Sequence, residues 1–156
     1  MNRLLSYFSF RGRVNRARFW LTGIAIYAIM VVGSVVTVVL DNITPFFAIL
    51  FLPIFLGAII ASLANGARRL HDRGKSAWWL LLFVLLPALL LAPAEAVSTS
   101  RDPSAAAGGL LFALVSLPFS IWGLVVMGFL KGTAGPNRFG EDPLAPTRET
   151  LAETLA

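Results

Sequence analysis

Apolar residues fall in four long blocks along the chain, parted by short polar stretches. The first block, Phe19 to Leu40, is 22 residues without a charge. At about 1.5 Å of rise per residue, a helix of that length crosses a hydrocarbon core about 30 Å thick. Uncharged blocks follow at 46–63, 77–92 and 108–130. Many of the residues are Val and Ile, poor helix formers in water. In lipid, however, each backbone N–H and C=O must bond within its own segment, so helix is forced. The pattern therefore predicts an all-α, integral membrane four-helix bundle over residues 1–143, with a polar tail at 144–156.

Local signals mark where the helices start and stop. Asn15 is placed to cap the first helix, and Gly12 before it permits a turn. Pro45 suits the first turn of the second helix. That helix runs on past the apolar block through ANGARRLHD and stops at Gly74, a residue suited to the left-handed position after a helix. Ser76 is the expected cap of the third helix. Pro87 and Pro118 predict kinks in the third and fourth, and Pro93 helps end the third. Gly33 with Ser34, and Gly57, Ala58, Ala61, Ser62 and Ala64, form small-residue faces for close helix contact.

Composition agrees with a membrane protein: 57% of residues are hydrophobic and 13% charged, against about 45–50% and about 25% in soluble domains. With no cysteine, disulfides, thiol nucleophiles and Cys metal sites are excluded. The first block is longer than a signal-peptide core of about 7–15 residues and is read as a retained span. Charge sets the orientation. Twelve Lys and Arg fall in the N-terminal segment, in the stretch 68–75 and in the tail from Lys131, against Arg101 alone in the opposite loops. By the positive-inside rule both termini are cytoplasmic.

Three polar stretches stand out on that face: FSFRGRVNRARFW (Phe8–Trp20), ARRLHDRGKSAWW (Ala67–Trp79) and GPNRFGEDP (Gly135–Pro143). With these motifs the chain resembles the DUF805 family of small bacterial inner-membrane proteins. The resemblance implies a polytopic inner-membrane protein and lends no reaction.

Arg11, Arg13, Arg16, Arg68, Arg69, Arg73 and Ser76 form a candidate anion or lipid-headgroup site, because guanidinium forks bind phosphate bidentately. Asn15, His71, Asp72, Asn137 and Arg138 are its supporting polar residues. The competing reading gives the arginines a purely topological role. Arg68 and Asp72, four apart, share a helix face. Asp72, Glu141 and Asp142 are expected to tie loop and tail to the arginines. His71 beside Asp72 invites a catalytic reading, but no nucleophile signature accompanies it, so no catalytic residue is assigned. One histidine and scattered carboxylates make no metal-ligand set, and no cofactor is expected. Nucleic acid is not an expected partner, since the basic charge hugs the spans and no recognition motif occurs. The expected partners are anionic lipids, with a homo-oligomer or another membrane protein also open. The leading function is a structural or accessory membrane protein. A small-solute transporter or channel subunit, and an enzyme acting on a lipid phosphate, are the alternatives.

Overall fold

The computed structural model describes residues 5–41, 47–98 and 103–146. The expected turn at 42–45, Arg101 and the tail from residue 147 lie outside the described residues. Those that are described are helical, with no strand beyond one isolated bridge between Asn137 and Gly140. A short 3-10 turn, Leu5–Phe8, precedes α1 (Arg16–Asp41) and α2 (Phe47–Asp72). Then come a π-helical turn at Leu81–Leu85, α3 (Leu86–Ser98), α4 (Pro103–Leu124) and a second π-helical turn at Val125–Phe129.

Three segments are long and apolar enough to cross a membrane: Arg16–Leu40, Ile49–Asp72 and Ala106–Phe129. The apolar part of the third helix, Leu81–Pro93, is shorter. It starts later than the sequence pattern predicts and runs through Pro93 to Ser98 instead of stopping there. Ser76 does not cap it: the residue preceding the π-turn is Leu80, in helical conformation and with no side-chain cap. Ser76 instead accepts the N–H of Trp79 through its backbone carbonyl, 3.3 Å away, within an ordinary turn.

The chain forms two compact units, Met1–Lys75 with Gly132–Ala156, and Ser76–Lys131. In the second unit, the expected disturbance around Pro87 takes the form of a π-turn just before it. Leu86 N–H bonds Leu81 O, five residues back. Proline has no N–H to give and its ring crowds the preceding turn, so widening that turn relieves both problems. Phe83 is buried there, in edge-to-face contact with Trp122 at 5.3 Å and tilted against Trp79 at 5.5 Å. Gly123 makes this possible, since a Cβ at that position would stand 2.8 Å from the Phe83 Cβ.

In the first unit α1 and α2 pair side by side. Gly33 on α1 lets the Phe55 ring in to van der Waals distance. Ser34 takes no part in that contact, because its hydroxyl bonds Met30 O on its own helix. Asn15 caps α1 as its sequence position predicts: Oδ1 accepts Arg18 N–H at 2.9 Å and its carbonyl accepts Phe19 N–H at 2.9 Å. Lower down the pair, Asn65 on α2 donates to Phe19 O at 3.0 Å.

Candidate functional site

The C-terminal end of α2 is where the distant motifs of the first unit meet. The helix closes with a Schellman pair. Gly74 N–H bonds His71 O at 2.9 Å, and Lys75 N–H bonds Leu70 O at 2.9 Å. Gly74 supplies the left-handed φ of 67° that this ending needs. The exposed carbonyls of the last turn are then taken up by other segments. Val14 N–H bonds Arg68 O at 3.3 Å, while Thr133 N–H and its hydroxyl both bond Asp72 O, at 2.8 and 3.0 Å. Asn137 donates to His71 O at 3.0 Å, and Arg138 to Gly74 O at 3.3 Å.

At the centre is an ionic triad. Asp72 Oδ1 accepts from Arg13 Nε at 3.1 Å and lies 3.0 Å from Arg13 Nη2, while Oδ2 accepts from Arg69 Nη1. Arg69 is fully buried and Asp72 nearly so. Arg13 also donates to Gly135 O at 2.6 Å, Gly140 O at 3.4 Å and Thr133 O. Its five N–H groups are thus spent on one carboxylate and three carbonyls of the C-terminal turn, a pattern only the rigid guanidinium fork can serve. Gly132 packs so closely on Asp72 that a Cβ there would lie 2.0 Å from Oδ2.

The expected Arg68–Asp72 pairing does not form. Arg69, three residues back, and Arg13, from 59 residues away in sequence, hold the carboxylate instead. Arg68 points elsewhere, donating to Ala64 O at 3.3 Å and to Ser6 O at 3.1 Å, which pins the N-terminal 3-10 turn to α2.

His71 is buried, with Nδ1 3.2 Å from Gly12 O, so Nδ1 carries the proton and donates it. Its ring stacks on Phe139 at 4.0 Å and 5°. The Arg138 guanidinium lies over the same Phe139 ring, 4.6 Å from its centroid. The turn carrying Phe139 is closed by reciprocal Asn137–Gly140 backbone bonds of 3.0 Å. Asp142 braces it by accepting Gly135 N–H at 2.8 Å and Leu144 N–H at 2.9 Å. The Leu144 and Gly135 N–H groups hold the Asp142 carboxyl below its ordinary range. A depressed pKa in the folded state tightens this turn above the ordinary carboxylate range and loosens it as the pH falls. Glu141, by contrast, is exposed.

The site residues proposed from sequence thus separate into groups. Arg13, Arg69, His71, Asp72, Asn137 and Arg138 form the interlocked knot, with Asn15 capping the adjoining helix. Arg11 and Arg16 are exposed on the segment leading into α1, and Arg73 is half-buried just past the end of α2. Ser76 belongs to the second unit. Arg18 and Tyr7, which are not among the site residues proposed from sequence, line an apolar groove between α1 and α2. Among the described residues no group of three or more His, Cys, Asp or Glu is placed to hold a metal ion.

The chain matches the family model described as "Protein of unknown function (DUF805)" over residues 7–141 and belongs to that family. It is 26% identical to the inner membrane protein YhaI of Escherichia coli K12 over 141 residues, covering 90% of each chain. It is 27% identical to the inner membrane protein YhaH of the same strain over 154 residues, 90% of this chain and 91% of the other. No solved structure matches it.

Proposed function

For this DUF805 member, we propose an accessory inner-membrane protein whose basic face lies on the cytoplasmic side and binds the anionic membrane surface. The observation that carries this reading is the division of labour among the arginines. Arg13 and Arg69 are locked into the knot, whereas Arg11, Arg16 and Arg18 are exposed along the polar segment and first turn that lead into an apolar helix. That is the position at which a juxtamembrane basic residue contributes about 1 kcal/mol toward an anionic surface. The same geometry argues against catalysis at His71, whose ring is covered by Phe139 and whose Nδ1 is bonded to Gly12. A general base needs reach to a substrate proton.

The same knot supports one membrane side for the segments it joins. Arg13, the end of α2 and Gly135 are hydrogen-bonded to one another, so they share a membrane side. The chain leaves this unit at Lys75 and re-enters it at Gly132, which fits an even number of crossings between. The absence of cysteine makes this simple to test. A membrane-impermeant maleimide should label Asn42→Cys in intact cells, and Glu141→Cys only after permeabilisation. Labelling of Glu141→Cys in intact cells would reverse the orientation.

The function itself is tested in nanodiscs. Replacing zwitterionic lipid with phosphatidylglycerol should raise the thermal unfolding midpoint by several degrees. The gain should shrink at high salt, because exposed charges are screened within about 10 Å at 0.1 M, and it should fall in an Arg11→Glu, Arg16→Glu variant. An identical midpoint in both lipids would refute an anionic-surface role.

A further inference from the structure

We propose that the groove between α1 and α2 is a specific site for one anionic phospholipid, its phosphate at Arg18 and one acyl chain in the groove. This rests on the basic-face reading above and sharpens it from a surface to a site.

The groove has a volume of about 680 Å³, within the range of about 300–1,000 Å³ typical of ligand sites. Its origin lies in the sequence. Gly57, Ala58 and Ala61 on α2 and Ala25 on α1 are too small to fill the seam between the helices. Leu21, Ile26, Ile29 and Ile54 line the space they leave, and among the described residues no acidic one does. One end is closed by Tyr7 and Phe8 of the 3-10 turn, with the Phe8 ring 3.9 Å from where a Gly57 Cβ would stand. Arg68 anchors that turn through Ser6 O.

The charge at this end identifies the occupant. Arg18 is exposed and lines the groove, whereas the Arg68 guanidinium is taken up by Ala64 O and Ser6 O. Asp72, the buried carboxylate of this unit, is already held by Arg13 and Arg69. An exposed guanidinium at the mouth of an apolar groove calls for an anion, and a fork of this kind grips phosphate. A second copy of the chain packed into the seam would bring more positive charge to it. Depth agrees with a lipid. Arg18 to Ile29 is eleven residues of helix, about 16 Å, or half of a core about 30 Å thick. The groove therefore accepts an acyl chain to the depth of one leaflet, with Arg18 at headgroup level.

The experiment is native mass spectrometry of the full-length protein released from detergent, with phosphatidylglycerol and phosphatidylcholine titrated in. Wild type should carry one tightly held phosphatidylglycerol. Arg18→Glu should lower the fraction carrying it at least fivefold, and Ala25→Trp, which fills the groove while leaving the charge, should do the same. Lys131→Glu, an exposed charge reversal outside the groove lining, should keep the adduct. Circular dichroism melts confirm that each variant is folded. Equal losses in Lys131→Glu and Arg18→Glu with none in Ala25→Trp would overturn the groove and leave the basic surface standing. No preference for phosphatidylglycerol in wild type would overturn both. A dimer lost only in Ala25→Trp would make a second copy the occupant and overturn the lipid site.

Discussion

Asp72→Asn should destabilise the first unit by about 3–5 kcal/mol, the cost of removing one partner from a buried ion pair. Asparagine has nearly the same shape but no charge. It would leave Arg69, fully buried, and the Arg13 fork facing an amide whose NH2 group repels their own N–H donors. The desolvation of two guanidiniums would then go uncompensated. The consequences spread because Arg13 is also the link to Thr133, Gly135 and Gly140, so loosening it releases the C-terminal turn and, with it, Phe139 from His71. Urea or thermal denaturation in detergent, followed by circular dichroism, measures the effect. A double-mutant cycle with Arg13→Ala isolates the pair, with an expected coupling in the range of about 0.5–3 kcal/mol found for contacting residues. A midpoint for Asp72→Asn at the wild-type value would show that the triad contributes nothing to stability.

The local parts of this arrangement are legible in the sequence and the distant parts are not. Asn15 before an apolar run reads as a cap because a capping bond reaches only three residues. Gly74 reads as a stop because a left-handed residue is needed at that one place. The three long apolar helices are legible because length and the absence of charge decide them. The partner of Asp72 is another matter. Helical periodicity offers Arg68 at four residues, yet Arg68 is drawn off by Ser6 O, and the carboxylate is taken by Arg69 and by Arg13 across the unit. Like charges along a chain carry no label that separates a structural arginine from an exposed one. Only the carbonyls that the C-terminal turn presents make Arg13 the staple and leave Arg18 at the groove. Ser76 reads as part of the site because it is the expected cap of the third helix, but that cap does not form and Ser76 falls in the other unit. Pro87 announces a disturbance in the third helix, but a π-turn as its resolution depends on the packing of Phe83 against Gly123 and Trp122, which no local pattern encodes.

Gly132→Ala should be nearly as damaging as losing the carboxylate itself. A methyl group there would stand 2.0 Å from Asp72 Oδ2 and 2.6 Å from Cγ, far inside van der Waals contact. An exposed carboxylate would swing aside at little cost, but this one is held on both oxygens by Arg13 and Arg69. Moving the backbone at residue 132 instead would break the two bonds from Thr133 to Asp72 O. Either response dismantles part of the knot, for an expected loss of about 3 kcal/mol or more. Gly135, three residues on, looks equivalent in sequence and provides the control. It has a left-handed φ of 75° but open space around it, so Gly135→Ala should cost only the conformational penalty of about 1–2 kcal/mol. The decisive comparison is Gly132→Ala in an Asp72→Ala background. There the methyl meets vacated space, and its added cost should fall below about 1 kcal/mol, which places the damage in the collision with the carboxylate. If the cost is undiminished without that carboxylate, the requirement for glycine lies in the backbone of the turn, and the close approach to Asp72 is incidental to it.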